Sequence, residues 1–206
     1  MSDKAFNMFT KDKSDKKAEK FRKIGNKHFD EKDWFNALFN YNASIAFAKS
    51  KHVASLGYGN RSAVYLEIER FEDCLKNIQW ARENGYPESK MPKLIKREEK
   101  CKNLMKESKE SFIDPWDFFK LSYPENKKIP WLVDRVEMRH TKKFGRGIYA
   151  KKDLKPGDVI CIEDPVIKYV NDRNIFMCCF SCMKSNAMNL IPCDQTGNVL
   201  IDSSFS

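Results

Sequence analysis

The chain has 206 residues, 41% hydrophobic and 13% aromatic, with 38 Lys and Arg against 29 Asp and Glu for a formal net charge of +9. That content excludes a wholly disordered chain, and eight Gly and eight Pro exclude collagen-like or Pro/Gly-rich sequence. No apolar run approaches the roughly 20 residues of a membrane span, and the first thirty residues hold no apolar signal core, so the chain is read as soluble and intracellular.

Residues 1–111 carry 24 basic against 17 acidic side chains, and residues 112–206 carry 14 against 12, so the positive surplus is concentrated in the first half. Lysines on solvated helix faces account for it, and no stripe of basic residues interleaved with aromatics points to a nucleic acid. Of the seven cysteines, Cys178, Cys179, Cys182 and Cys193 crowd one short stretch. Without a signal peptide such a cluster reads as reduced thiols or a metal site.

In chain order, residues 1–16 are polar and unpatterned and read as a tail. Residues 17–110 hold apolar side chains at helical spacing. The set Phe21, Ile24, Gly25, His28, Phe29, Trp34, Ala37 and Tyr41 is followed by Tyr58, Ser62, Tyr65, Phe71, Cys74, Ile78 and Ala81. Ala37 to Cys74 is 37 positions, the 34-residue tetratricopeptide period with three residues inserted. Small residues at Gly25 and Ala37 predict close contact between antiparallel helices, and a further helix near 88–110, with Leu94, Cys101, Leu104 and Met105 on one side, would cap the stack.

Residues 111–130 form an aromatic-rich connector broken by Pro115, Pro124 and Pro130, whose rings (Trp116, Phe118, Phe119 and Tyr123, with Trp131 just beyond) should pack on a neighbour. Then Val- and Ile-rich segments predict strands at Leu132–Met138, Gly147–Ala150, Val159–Ile162 and Val166–Val170, with a type II turn at Pro156-Gly157. The expected class is α+β: an all-α repeat domain, a β-rich part over 131–175, and a cysteine-bearing end over 176–206.

Two groups of residues carry chemistry. Arg22-x-x-Gly25-Asn26, Gly59-Asn60-Arg61-Ser62-Ala63 and Lys93-x-x-x-Arg97 resemble the carboxylate-clamp tetratricopeptide domains of Hsp70/Hsp90 co-chaperones. The resemblance implies that Arg22, Asn26, Asn60, Lys93 and Arg97 hold the acidic C-terminal peptide of a chaperone. Residues four apart share a helix face, so Arg22/Asn26 and Lys93/Arg97 could each present donors to one groove. The family's usual Lys is replaced by Arg22, which keeps the charge and changes the geometry.

The string Phe144-Gly145-Arg146-Gly147-Ile148-Tyr149-Ala150, with Asp153-Leu154-Lys155-Pro156-Gly157-Asp158 and Glu163-Asp164-Pro165, resembles the opening of a SET domain, the fold of protein-lysine methyltransferases. Cys179-x-x-Cys182 and Cys193 resemble the start of a MYND zinc finger. Repeats, SET start and MYND start in this order resemble the SMYD family, in its repeat-bearing subfamily four. That implies S-adenosylmethionine held by Phe144, Gly145, Arg146 and Gly147, zinc held by Cys179, Cys182 and Cys193, a protein substrate, and residence in cytoplasm and nucleus. The family's Asn-His-Ser-Cys segment and late tyrosine are absent from the 206 residues, and Thr196 and Asp202 stand where two finger cysteines are expected. No catalytic residue is therefore assigned, and this chain alone is expected to be catalytically incomplete.

Overall fold

The computed structural model describes residues 13–107, 120–163, 165–170, 174–180, 183, 190–192 and 200–202. They fall into two compact units, one within Met1–Glu110 and Tyr169–Ser206, the other within Ser111–Lys168.

The first unit opens at Ser14, whose hydroxyl accepts from the Lys17 amide at 3.4 Å, with Asp15 next in the first turn, where a carboxylate suits the positive helix end. Helix α1 spans Asp15–Asp30 and α2 spans Trp34–Phe47, capped by Asp33 through the Asn36 amide at 3.2 Å. Helix α3 runs Lys51–Glu67 from a Ser50 cap, α4 runs Phe71–Glu83, and α5 runs Met91–Glu107 after a single 3-10 turn at Glu88–Lys90.

One closing device recurs. The Asp33 amide donates to the His28 carbonyl, the Arg70 amide to Tyr65, and the Tyr86 amide to Ala81, each after a residue at positive φ: Lys32 at 60°, Glu69 at 59° and Gly85 at 76°. This six-to-one bond with a left-handed residue stops a helix and reverses the chain. Lys32 and Glu69 lie 37 residues apart, so the repeat period appears in the turns as well as in the apolar positions.

Successive helices pack in order, and α1 also touches α3 as α3 touches α5, so the odd-numbered helices lie side by side. Close approach is built in at Gly25, where an added Cβ would fall 2.7 Å from the Tyr41 ring. Tyr41, Ile45, Tyr65, Cys74, Ile78 and Leu94 are among the buried core side chains.

A second cluster in this unit seats residues from its distal segment on the helices. Phe176 packs edge-on to Phe39 and Phe47, with ring centroids 5.4 and 5.7 Å away, while Cys179, Leu190 and Leu200 fill against Ala43 and Ala46. Strand β3 (Leu190–Pro192) pairs antiparallel with β4 (Leu200–Asp202).

In the second unit, β1 (Val136–Thr141) and β2 (Gly145–Ala150) form an antiparallel hairpin with Val136 opposite Ala150 and Thr141 opposite Gly145. It rests on Leu132, Val133 and Val136, against which Tyr123 and Trp131 pack as expected; Trp116, Phe118 and Phe119 lie outside the described residues. The Pro156-Gly157 turn forms, with the Asp158 amide on the Lys155 carbonyl at 3.1 Å and Gly157 at φ 90°.

Three strand expectations are corrected. The segment begun at Leu132 becomes a strand only from Val136, and Val159–Ile162 makes a single bridge, Cys161 to Leu132. Val166–Val170 is not a strand, and Val166, Ile167 and Tyr169 are 96%, 83% and 78% exposed. Their side chains suit a pleated sheet, yet a strand needs a ladder, and among the described residues the backbone of this segment joins none. No helix among the described residues is long and apolar enough to cross a membrane.

Candidate functional site

The spacing on α1, α3 and α5 brings several of the sequence-selected residues to one place. The Asn60 amide on α3 donates to Asn26 Oδ1 on α1 at 2.7 Å, and the same oxygen accepts from the Tyr41 hydroxyl at 3.1 Å. Arg97 on α5 donates through Nη1 to the Gly59 carbonyl at 2.5 Å and to Ser62 Oγ at 2.8 Å, so it touches α3 on both sides of Asn60. Arg22 lies one turn before Asn26, half-buried, with its Nε buried and without a hydrogen-bond partner among the described residues. Lys93 is exposed one turn before Arg97, and no hydrogen bond among the described residues joins it to the other four.

The electrostatics mark this as a cationic hollow with neutral phenols in it. Burial lowers the Arg97 pKa from its ordinary value, partly offset by neighbouring groups that include Tyr86 and Tyr41. Burial likewise holds the phenols of Tyr41 and Tyr86 above their ordinary range, while Arg22 and Arg97 pull both the other way. Both guanidiniums therefore act on the same two rings, although they sit on helices far apart in sequence.

Four contributors were not assigned to the site from the sequence: Tyr41, Gly59 and Ser62, which stand in the motifs without a role there, and Tyr86. Tyr86 follows the Gly85 turn and lies so close to Gly59 that a Cβ there would run into its ring. The available signal was Gly59 itself, a poor helix former placed mid-helix beside Asn60.

The second candidate site lies on the hairpin. Phe144 is 71% exposed, its amide bonded to Thr141 Oγ1 at 3.0 Å, and Gly145 at φ 67° has open space where a side chain would be. Met138, Arg146, Gly147 and Ile148 line a shallow depression of about 180 Å³. Half-buried glycine backbone, a cation and apolar side chains fit one wall of a cofactor cradle. Among the described residues nothing encloses it.

Of the suggested metal ligands, Cys179 is fully buried among Phe176, Leu190 and Leu200, and Cys182 and Cys193 lie outside the described residues. No group of three His, Cys, Asp or Glu that could hold a metal occurs among the described residues. The histidines add no chemistry: His28 Nδ1 lies 3.2 Å from Asp33 Oδ2 in the first turn, and His140 is exposed opposite Arg146.

The largest polar feature was not anticipated. Arg61, next to Asn60, is wholly buried; its Nε donates to Asn77 Oδ1 at 2.7 Å, and its Nη1 to Asn42 Oδ1 at 2.7 Å and the Leu190 carbonyl at 2.8 Å. Tyr58 and Trp80 rings lie 5.3 and 5.8 Å from the guanidinium.

Comparison with known proteins adds what geometry cannot. No family model matches the chain, and no solved structure matches it. It is similar to the protein-lysine N-methyltransferase SMYD4 of Pongo abelii, 38% identical over 82 residues, covering 39% of this chain and 10% of the relative. It is 27% identical to SMYD4 of Danio rerio over 206 aligned residues, covering 91% of this chain and 27% of the relative. SET domain-containing protein 3 of Caenorhabditis elegans is 33% identical over 63 residues, 31% of this chain and 13% of the relative. The matches thus span between 10% and 27% of the length of these three relatives.

Proposed function

Because this chain is of the SMYD4 type, related to protein-lysine N-methyltransferases, we propose that it serves such an enzyme as the part that recruits a protein partner and contributes one wall of the cofactor site. Recruitment is by the hollow on α1, α3 and α5, which takes the acidic C-terminus of a chaperone-type peptide. The observation that carries this reading is the Asn60–Asn26 hydrogen bond with Arg97 of α5 bonded to Gly59 and Ser62 on either side of Asn60. Two amides and a guanidinium from three helices give a terminal carboxylate several donors at once, and a bond to a charged group is worth roughly 1.5–3 kcal/mol. Arg22 Nε, buried and unpartnered, supplies a further donor for the peptide, and exposed Lys93 adds long-range attraction.

Phe144, Gly145, Arg146 and Gly147 would hold S-adenosylmethionine, which supplies the methyl group when bound. The chain's own part is orientation: glycine backbone without a Cβ to approach the cofactor closely, Phe144 to cover an apolar face, Arg146 to meet a carboxylate. Zinc on Cys179, Cys182 and Cys193 belongs to the same reading, as a device that orders the distal segment.

Calorimetric titration with an acidic peptide ending in Glu-Glu-Val-Asp tests recruitment. Binding should weaken with salt and drop about tenfold or more in Asn60→Ala and Arg97→Ala. Unchanged affinity in both variants eliminates the hollow as the binding site. A second reading, a binding adaptor without a cofactor, is favoured by the openness of the hairpin depression, and titration with S-adenosylmethionine separates the two. Micromolar cofactor binding by this chain eliminates the adaptor reading.

A further inference from the structure

The stretch Gly59–Ser62 of α3 is gripped from two directions. Gly59, Asn60 and Ser62 face the hollow, where Arg97 and Asn26 hold them. Arg61, between them, is sealed into the stack and bonded to α2 through Asn42, to α4 through Asn77, and to the distal segment through the Leu190 carbonyl. Asn42 is shared: its amide also donates to the Phe176 carbonyl at 2.7 Å. Two polar ties and an aromatic anchor thus fasten residues 174–180 and 190–192 to the helices, across more than 120 positions of sequence.

No carboxylate forms an ion pair with Arg61 among the described residues; its charge is met by carbonyl oxygens and aromatic faces. Asp73, the buried acid on the same helix as Asn77, is engaged by Arg70 at 2.5 Å. Its Nη2 is already buried without a hydrogen-bond partner among the described residues, so each further acceptor lost leaves the charge more exposed to an apolar surround. Release of the distal segment would take the Leu190 carbonyl from Arg61 and the Phe176 carbonyl from Asn42 together.

We infer that Arg61 is a positioning residue that couples docking of the cysteine-bearing residues 174–180, with 190–192, to the peptide hollow. With the segment seated, Arg61 fixes the rotation of α3 and holds Asn60 toward Asn26. With it released, Arg61 must find another partner, and Asn60 moves with it. The inference rests on the reading of the hollow as a peptide site, and it makes the state of the Cys178–Cys179 segment a regulator of that site. Coupling of this kind is reciprocal: whatever factor docking adds to peptide affinity, peptide adds to docking.

The test uses the 206-residue chain with two readouts, affinity for the Glu-Glu-Val-Asp peptide and the rate of alkylation at Cys179, which is buried only while the segment is seated. Phe176→Ala loosens the segment without touching α3, and Arg61→Met removes the tie from the helical side. Both should speed Cys179 alkylation and weaken peptide binding about tenfold, and saturating peptide should slow alkylation of the wild type by a similar factor. Should Arg61→Met fail to fold, Phe176→Ala decides alone. Faster alkylation with unchanged affinity, peptide that leaves alkylation untouched, or a Phe176→Ala chain whose Cys179 stays protected each overturn the coupling. If the wild type binds no peptide, the recruitment reading falls by itself, and amide exchange at residues 59–62 then decides: faster exchange in Phe176→Ala upholds the coupling and unchanged exchange overturns it.

Discussion

The helical unit and the hairpin unit spend their polar groups in opposite ways. In the helical stack Arg61, Asn77 and Ser62 are wholly buried and bonded to neighbouring side chains or backbone, with Arg61 Nη2 left unpartnered among the described residues. In the hairpin unit the main polar group is at the surface: Tyr123 donates to Asp158 at 2.5 Å, the Lys155 amide donates to the same oxygen at 2.6 Å, and Arg135 lies 3.8 Å from the Tyr123 ring centre. Water can replace any partner in the second arrangement and none in the first. The difference locates where a single substitution should be costly and where the chain can absorb one.

The sharpest test compares two arginines. Arg61→Ala strips three buried acceptors and opens a cavity, and should cost about 3–5 kcal/mol of helical-unit stability by urea unfolding. Arg135→Ala, which loses a surface stacking contact and a bond to the Asp153 carbonyl, should cost about 1 kcal/mol or less. Equal effects would dissolve the distinction between the two units.

Alkali should separate them next. Burial pushes the Tyr65 phenol up to about 12 and raises Tyr41 further. An unfolded tyrosine ionises near 10, so the folded state binds the proton more tightly and its advantage is complete below pH 10. It is then lost as pH rises through 10 toward 12, with Tyr65 alone accounting for a loss on the order of 2–3 kcal/mol. Circular dichroism at 222 nm should fall steeply over that window, and Tyr65→Phe should shift the midpoint upward. In the hairpin unit Tyr123 is also raised, but by its bond to Asp158 at the surface, so Tyr123→Phe should change the alkaline behaviour far less.

Much of the helical stack was legible because its information is local and repeats. Gly25 and Ala37 announce close contact, the 37-residue period recurs in the turns at Lys32 and Glu69, and the four-residue spacings place Arg22 with Asn26 and Lys93 with Arg97. Arg61 was illegible for the converse reason. One period earlier its place is held by Ile24, half-exposed on α1, and what buries Arg61 is a segment almost 130 residues further on. Val166–Val170 misled in the same way: β-forming side chains declare a propensity, while pairing depends on a partner that local sequence does not name.

Close packing gives a third contrast. Gly25→Ala drives a methyl into the Tyr41 ring and should cost about 1–3 kcal/mol through overpacking, while disturbing the Tyr41 hydroxyl that helps hold Asn26. Gly145→Ala meets nothing within 4 Å; its penalty is the strain of φ 67° alone, roughly 1 kcal/mol. The first substitution should lower both the thermal midpoint and peptide affinity, the second the local stability of the hairpin and not peptide affinity.

The smallest effects are expected on the acid side, where each unit has a carboxylate at its surface. Hydrogen bonds from Arg82 and Lys102 hold Glu98 below its ordinary value, and the Tyr123 hydroxyl and Lys155 amide do the same for Asp158. For a depressed carboxyl the stabilisation is present above the ordinary carboxylate value and lost as pH falls through the folded one. Both groups are open to solvent and screened by salt, so Glu98→Gln should cost under about 1 kcal/mol at neutral pH, and less at high ionic strength. Asp158→Asn should flatten the acid limb of the hairpin unit while leaving the helical signal unchanged. A large acid-side loss in the helical signal of that variant would mean that its polar surface contacts, and not its buried ones, link it to the rest of the chain's stability.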